Sequence, residues 1–138
     1  MDSLFASLRA AGSGLSAQSA RMRVVSENIA NANSTSRIAG GDPYQRKVIS
    51  FAETLEHDTG TRLVTVATIA RDKSDFPLDF DPGNPGADEN GKVKMPNINP
   101  IVEMADMREA NRSYEANLQV IKQARDLITM TIDLMRGS

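Results

Sequence analysis

The chain has 138 residues, enough for one domain, and its 16 Lys plus Arg against 18 Asp plus Glu leave a formal net charge of −2. That balance removes the counterion-release drive that nucleic acid binding depends on, so no nucleic acid partner is expected. With no Cys, a single histidine at His57 and 4% aromatic residues, disulfides, thiolate metal sites and paired-imidazole chemistry are excluded, and the large rigid side chains of a compact enzyme core are scarce.

The N-terminal part reads as a helix. Leu4, Leu8, Ala11, Leu15, Gln18, Met22, Val25, Ile29 and Ala32 recur at spacings of three and four, a heptad line interrupted by Gln18. Asp2 or Ser3 supplies an N-cap, and Asn31, Asn33, Ser34, Thr35 and Ser36 form a polar stop before Gly40-Gly41. Twelve of residues 3–20 are Ser, Ala or Gly. Gly inside a helix costs roughly 0.8–1 kcal/mol relative to Ala, so this helix is weak alone. Small residues on nearly every face invite close approach by neighbours, which points to a subunit whose ends order on assembly. The stretch also has no basic n-region followed by an apolar h-region, so no cleaved signal peptide is expected.

The middle changes character. Tyr44 to Leu55 and Thr61 to Arg71 are rich in β-branched residues and read as two short strands, a hairpin about Asp58-Thr59-Gly60. The longest apolar run, Leu63 to Ala70, is far too short to span a bilayer, so no direct membrane insertion is expected. Residues 76–100 hold most of the prolines and read as an extended loop or disorder, with Asn90-Gly91 as a tight turn.

The C-terminal part is a second helix, entered through Asn99-Pro100. Met104, Met107, Asn111, Tyr114, Leu118, Ile121, Arg125, Ile128, Ile132 and Met135 keep the same three-four rhythm, and acidic residues concentrate in its first half. Beside this line runs a second one, Val120, Ala124, Leu127, Thr131 and Leu134. Two seams call for two partners, and one chain supplies a single partner helix. The expected fold is therefore mainly α with a small β/irregular middle. Long N- and C-terminal helices pack as an antiparallel coiled coil over residues 1–35 and 100–138, around a central β-rich insert at 36–99. An ordinary two-helix hairpin with a small β cap accounts for the periodicity equally well.

The segment Val25-Ser26-Glu27-Asn28-Ile29-Ala30-Asn31-Ala32-Asn33-Ser34-Thr35 resembles the helix-ending signature of bacterial flagellar axial proteins. Asp42-Pro43-Tyr44-Gln45-Arg46-Lys47, Lys94-Met95-Pro96-Asn97-Ile98-Asn99 and Ala110-Asn111-Arg112-Ser113-Tyr114-Glu115-Ala116-Asn117 resemble, within that family, the FlgC-type proximal rod proteins. The resemblance covers nearly the whole chain. It implies a structural, non-enzymatic subunit of a torque-transmitting hollow shaft in the periplasmic basal body, exported through the flagellar type III apparatus. It also implies homo- and hetero-oligomeric contacts with proximal and distal rod subunits, with the rod-to-MS-ring junction protein, and with the flagellar export gate.

On that reading the assembly residues of the first helix are Leu4, Leu8, Leu15, Met22, Val25, Asn28, Ile29, Asn31 and Asn33, the asparagine amides bonding to neighbouring backbones. Those of the second are Met107, Tyr114, Asn117, Leu118, Ile121, Arg125, Ile128, Ile132 and Met135, with Arg125 in an ion pair to a neighbouring subunit. No catalytic residue, cofactor or metal is expected. His57 reads as a solvated loop histidine, and Asp79, Asp81, Asn84, Asp88 and Glu89 lack the glycine and closing glutamate of a calcium loop. A helical adaptor or export chaperone is the rival reading, and it requires a chain fully folded by itself. Replacing Leu118 or Ile128 with Asp is expected to stop incorporation and motility while synthesis continues, which swimming assays and immunoblots check together.

Overall fold

Two helices carry most of the structure, a computed structural model that describes residues 2–137. Met1 and Ser138, the outermost residues of the two expected end segments, lie outside the described residues. In chain order the elements are α1 (Asp2–Ala30), β1 (Lys47–Glu56), β2 (Thr61–Arg71), β3 (Leu78–Phe80), β4 (Lys92–Lys94) and α2 (Pro100–Arg136).

The helix ends follow from local chemistry. Asn99 accepts the Ile101 N–H at 3.1 Å, Pro100 occupies the first turn where its missing N–H costs nothing, and Gly137 closes α2 by donating to the Asp133 carbonyl. In α1 the Asn31 amide turns back to the Glu27 carbonyl at 2.8 Å and its oxygen accepts the Ser34 hydroxyl at 3.0 Å. That side chain competes with the backbone ladder, so the helix stops at Ala30, ahead of the expected residue 35.

α1 and α2 run in opposite directions, as three facing positions show. Asn28 meets Glu103, Arg21 meets Asp106, and Gly14 lies under Asn117. A Cβ on Gly14 would stand 2.7 Å from the Asn117 Nδ2 and 2.8 Å from its Oδ1, so a larger residue here has to push the Asn117 amide aside. Ala11, Ala17, Ala110 and Ala124 are buried on the same interface.

This small-residue seam corrects the expected facing lines. On α2 the buried residues are Glu103, Ala110 and Ala124, whereas Met104, Asn111, Arg125, Ile132 and Met135 are exposed. Met107, Tyr114, Leu118, Ile121 and Ile128 flank the seam half-buried. The positions that face α1 are taken by Glu103, Ala110 and Ala124 and by Asn117 over Gly14, so the larger Met and Ile side chains fall on the flanks or outside. On α1, Leu4, Leu8, Leu15, Met22 and Ile29 are likewise only half-buried, while Ala17, Val24, Val25 and Asn28 are sealed.

The other flank of α1 is covered by the hairpin. β1 and β2 pair antiparallel from Lys47↔Arg71 to Glu56↔Thr61, with Ala67 as an extra residue that shifts the register between Ser50 and Phe51. Gly60, at φ +68°, closes the turn by donating to the Glu56 carbonyl. The hairpin lies along α1: Lys47 bonds Asn28, the Val64 N–H donates to the Ser13 hydroxyl at 3.1 Å, and Glu56 pairs with Arg9 at 3.4 Å. Small residues in α1 thus accommodate two neighbours from the same chain.

Residues 72–99 are ordered, which decides between the two alternatives left open by their composition. β3 and β4 form a short antiparallel ladder, and a turn at Asp88–Gly91 joins them, with the Asp88 carboxylate accepting the N–H groups of Asn90 and Lys92 at 2.9 Å. Val93, Pro96 and Pro43 are buried around it. Among the described residues no helix is long and apolar enough to cross a membrane.

Overpacking a tight contact costs about 1–3 kcal/mol. Gly14→Val is therefore expected to lower the thermal midpoint of the isolated chain, and adding Asn117→Ala to recover part of it. Circular dichroism melts of the two variants check both; a Gly14→Val chain melting like the parent contradicts the close approach.

Candidate assembly site

Asn28 is the centre of a buried polar joint. It is 1% exposed, its Nδ2 donates to the Lys47 carbonyl at 2.9 Å, and its Oδ1 accepts the Lys47 N–H at 2.9 Å. The side-chain amide thereby acts as one more residue of the β ladder, fastening β1 to α1. The same Nδ2 lies 3.4 Å from the Glu103 carboxylate, which is fully buried in the first turn of α2. Glu103 also accepts a short hydrogen bond from the Arg46 Nε, so the charge is paired.

Arg46 extends the joint to the exit of the second strand at the root of the hairpin. Its guanidinium pairs with Asp72 at 3.3 Å, its N–H donates to the Asn97 side chain at 2.8 Å, and its carbonyl accepts the Asp72 N–H at 2.8 Å. Burial works against its charge, but hydrogen bonds to Glu103 and Asp72 prevail and hold its pKa above the ordinary value. Asp72 is held below the usual carboxylate range by the Ser74 N–H and hydroxyl and by Arg46. Glu27 is lowered likewise by its 2.6 Å bond to the Lys47 ammonium. Farther along the seam Arg21 reaches Asp106 and, at 3.7 Å, Glu109.

The outer surface is the opposite in character. Val120, Leu127 and Leu134 are exposed at seven-residue spacing on α2, Leu134 by 76%, with Met130 beside them. At the other end of α2, Ile101, Val102 and Met104 are exposed, and along the hairpin Leu55, Val64, Val66 and Ile69 are partly uncovered on both strands. A cleft lined by Val24, Val25, Val48, Ile49 and Phe51 opens beside the polar joint where α1, α2 and β1 meet.

The expected site residues thus divide. Asn28 and Val25 are buried, and Asn28 bonds the backbone of its own chain rather than a neighbour's. Asn31 bonds within its own helix end, and Asn33 is exposed. Asn117 covers Gly14 and donates to the Ser113 carbonyl at 3.0 Å. Arg125 is exposed rather than seated on the seam and makes no ion pair among the described residues. Of the second apolar line, Val120, Leu127 and Leu134 are open, whereas Ala124 is buried and Thr131 half-buried against the first helix's side. Glu103, Arg46 and Arg21 were not among the expected site residues, and Gly14 entered only as one of the small residues of the first helix that admit close neighbours. The signal for Glu103 was a line that shares Met107, Tyr114 and Ile121 with the expected one but takes Glu103, Ala110, Asn117 and Ala124 in place of Met104, Asn111, Leu118 and Arg125. In the loop, the acidic residues form no metal cluster: among the described residues no group of three candidate ligands converges.

Residues 8–37 match the family model for the flagella basal body rod protein, and residues 89–134 match that for the C-terminal region of the flagellar basal body rod FlgEFG proteins. The flagellar basal-body rod protein FlgC of Agrobacterium fabrum is 58% identical over 138 residues, covering 100% of this chain and 99% of the relative. That of Aquifex aeolicus is 41% identical over 135 residues, covering 96% and 98%, and that of Salmonella typhimurium 39% over 124 residues, covering 90% and 92%. The two family models fall on the two helices, while the full-length relatives take in the hairpin between them as well.

Both depressed carboxylates favour the fold above their unfolded pKa near 4, and this contribution is lost as pH falls through their folded values. The thermal midpoint is expected to fall between about pH 4 and pH 2, with a shallower fall in Asp72→Asn. Melts across that range check it; identical profiles contradict the Asp72 anchor.

Proposed function

Because the chain belongs to the FlgC family of flagellar basal-body rod proteins, we propose that its helix pair packs as an antiparallel coiled coil into the wall of the rod. The chain is a structural subunit serving motility, not an enzyme. Residues 1–35 and 100–138 act as the axial helices and residues 36–99 as the lateral and outer contact region. The neighbours are proximal and distal rod subunits and the junction protein to the MS-ring. The route is the type III export gate, to a periplasmic position.

The observation that supports this reading is the open apolar stripe Val120–Leu127–Met130–Leu134, with α1 already occupied on two sides by α2 and the hairpin. Covering a large apolar side chain contributes up to about 1.5–3 kcal/mol, so the four residues of the stripe supply a sizeable part of the roughly 4–15 kcal/mol that association costs, and further contacts around a tube supply the rest. The flanking residues Leu118, Ile121 and Ile128, half-buried within the chain, are completed by the same neighbour. Many such contacts side by side resist twist, which is how the wall carries torque.

Surface substitutions usually change stability by less than about 0.5 kcal/mol. Leu127→Asp with Leu134→Asp is accordingly expected to leave the melting curve of the isolated chain unchanged while abolishing incorporation into basal bodies and swimming. Motile cells carrying this pair of substitutions would show that the stripe is not an assembly contact.

A further inference from the structure

The apolar seam between α1 and α2 is made of small side chains, Ala11, Gly14, Ala17, Ala110 and Ala124, at near-heptad spacing. Outside the polar joint, the contacts among the described residues that resist a slide of one heptad along this seam are the Asn117 side chain over Gly14 and the part-exposed Arg21–Asp106 pair, and an exposed pair is worth little. The buried polar joint distinguishes sharply. Asn28 and Glu103 are sealed from solvent, and Glu103 has partners only where Asn28 and Arg46 reach it together. Asn28 at the same time holds both backbone groups of Lys47, and Arg46 holds Asp72 at the exit of the hairpin. A slip of seven residues would part Asn28 from Glu103 by about 10 Å and leave a carboxylate buried against apolar walls.

We infer that Asn28, Arg46 and Glu103 form a register pin: they set the axial alignment of α1 against α2 and, through the same atoms, the root of the hairpin. They are positioning residues whose role is alignment rather than stability. A buried ion pair replaced whole by apolar groups of similar size is commonly neutral in stability, whereas loss of one partner strands a charge. Alignment of the two helices fixes where the open stripe of α2 stands relative to the hairpin, and so the geometry each subunit offers its neighbours. That last step rests on the rod reading.

The chain has no Cys, so cysteines at the exposed positions Ser26 and Gln123, well separated along the helix axes, accept spin labels cleanly in the full-length protein. Double electron–electron resonance is expected to give one narrow distance in the parent. In Glu103→Leu with Arg46→Met it is expected to split, with a second peak displaced by about 10 Å. The thermal midpoint stays within a few degrees of the parent, and cells carrying the variant lose swimming. Glu103→Gln keeps one acceptor oxygen for Arg46 but turns its NH2 group toward the Asn28 amide donor, so it is expected to show the second peak at lower amplitude; a single parent peak in it overturns the part assigned to Asn28. A double variant that keeps the parent peak overturns the pin and leaves the rod reading intact, because the distance is measured on the isolated chain. A double variant that unfolds overturns it too, by making the trio a source of stability. A split peak in normally swimming cells overturns the link from alignment to assembly.

Discussion

Gly14 lies under the Asn117 side chain, whose amide a larger residue would have to displace, and much of the molecule follows from the small-residue seam it belongs to. Helices that touch through glycine and alanine are closer together than leucine-rich helices, so they bury little large apolar surface between them. The large side chains of α2 are displaced to its flanks, where Met107, Ile121 and Ile128 are half-covered and Val120, Leu127 and Leu134 are not covered at all. The same small residues on α1 admit the hairpin on the other side, with the Ser13 hydroxyl bonding the Val64 backbone. One narrow helix therefore serves two neighbours within the chain, and the apolar surface left over faces outward. An open stripe is what a subunit of a polymer has to offer.

Polar chemistry complements this arrangement at the end where the chain crosses between elements. Asn28, Lys47, Arg46, Glu103 and Asp72 come from α1, β1 and the segments that flank it, and from α2. Each buried donor or acceptor there has a partner, which is the condition under which a buried charge is tolerated. The small-residue seam supplies closeness, and the joint supplies specificity. Neither replaces the other: alanines slide, and a lone carboxylate without the seam would hydrate.

Much of this was legible in the residues. The Asn99-Pro100 entry, the polar stop at Asn31 and the hairpin about Asp58-Thr59-Gly60 each rest on local chemistry, and each stands where local chemistry puts it. The phase of the seam was not legible. Periodicity reports a repeat, and α2 has two that share Met107, Tyr114 and Ile121, one through Met104 and Arg125 and another through Glu103 and Ala124. Choosing the more apolar one is sound for helices at ordinary spacing and wrong for helices drawn together by glycine. Glu103 was hidden for a second reason. An acid in the first turn of a helix already has an explanation in the helix dipole, and Arg46, its partner, stands 57 positions earlier. Asn28 gave half its meaning away: its amide does bond backbone, but that of Lys47 in its own chain.

The lengths of the two helices complete the argument. α1 has 29 residues and α2 has 37, a difference of about two turns. Asn28 opposite Glu103 brings the start of α2 level with the end of α1, so the excess falls at the C-terminal end of α2, around Met130 and Leu134. A protruding apolar end and an apolar patch at Ile101, Val102 and Met104 on the opposite end are different surfaces. If two such different surfaces meet, the contact is head to tail, and a head-to-tail contact that does not close on itself propagates as a filament. Assembly by such contacts needs every subunit to have the same helix alignment, since an error of one heptad in one member displaces the protruding end by about 10 Å from the surface that receives it.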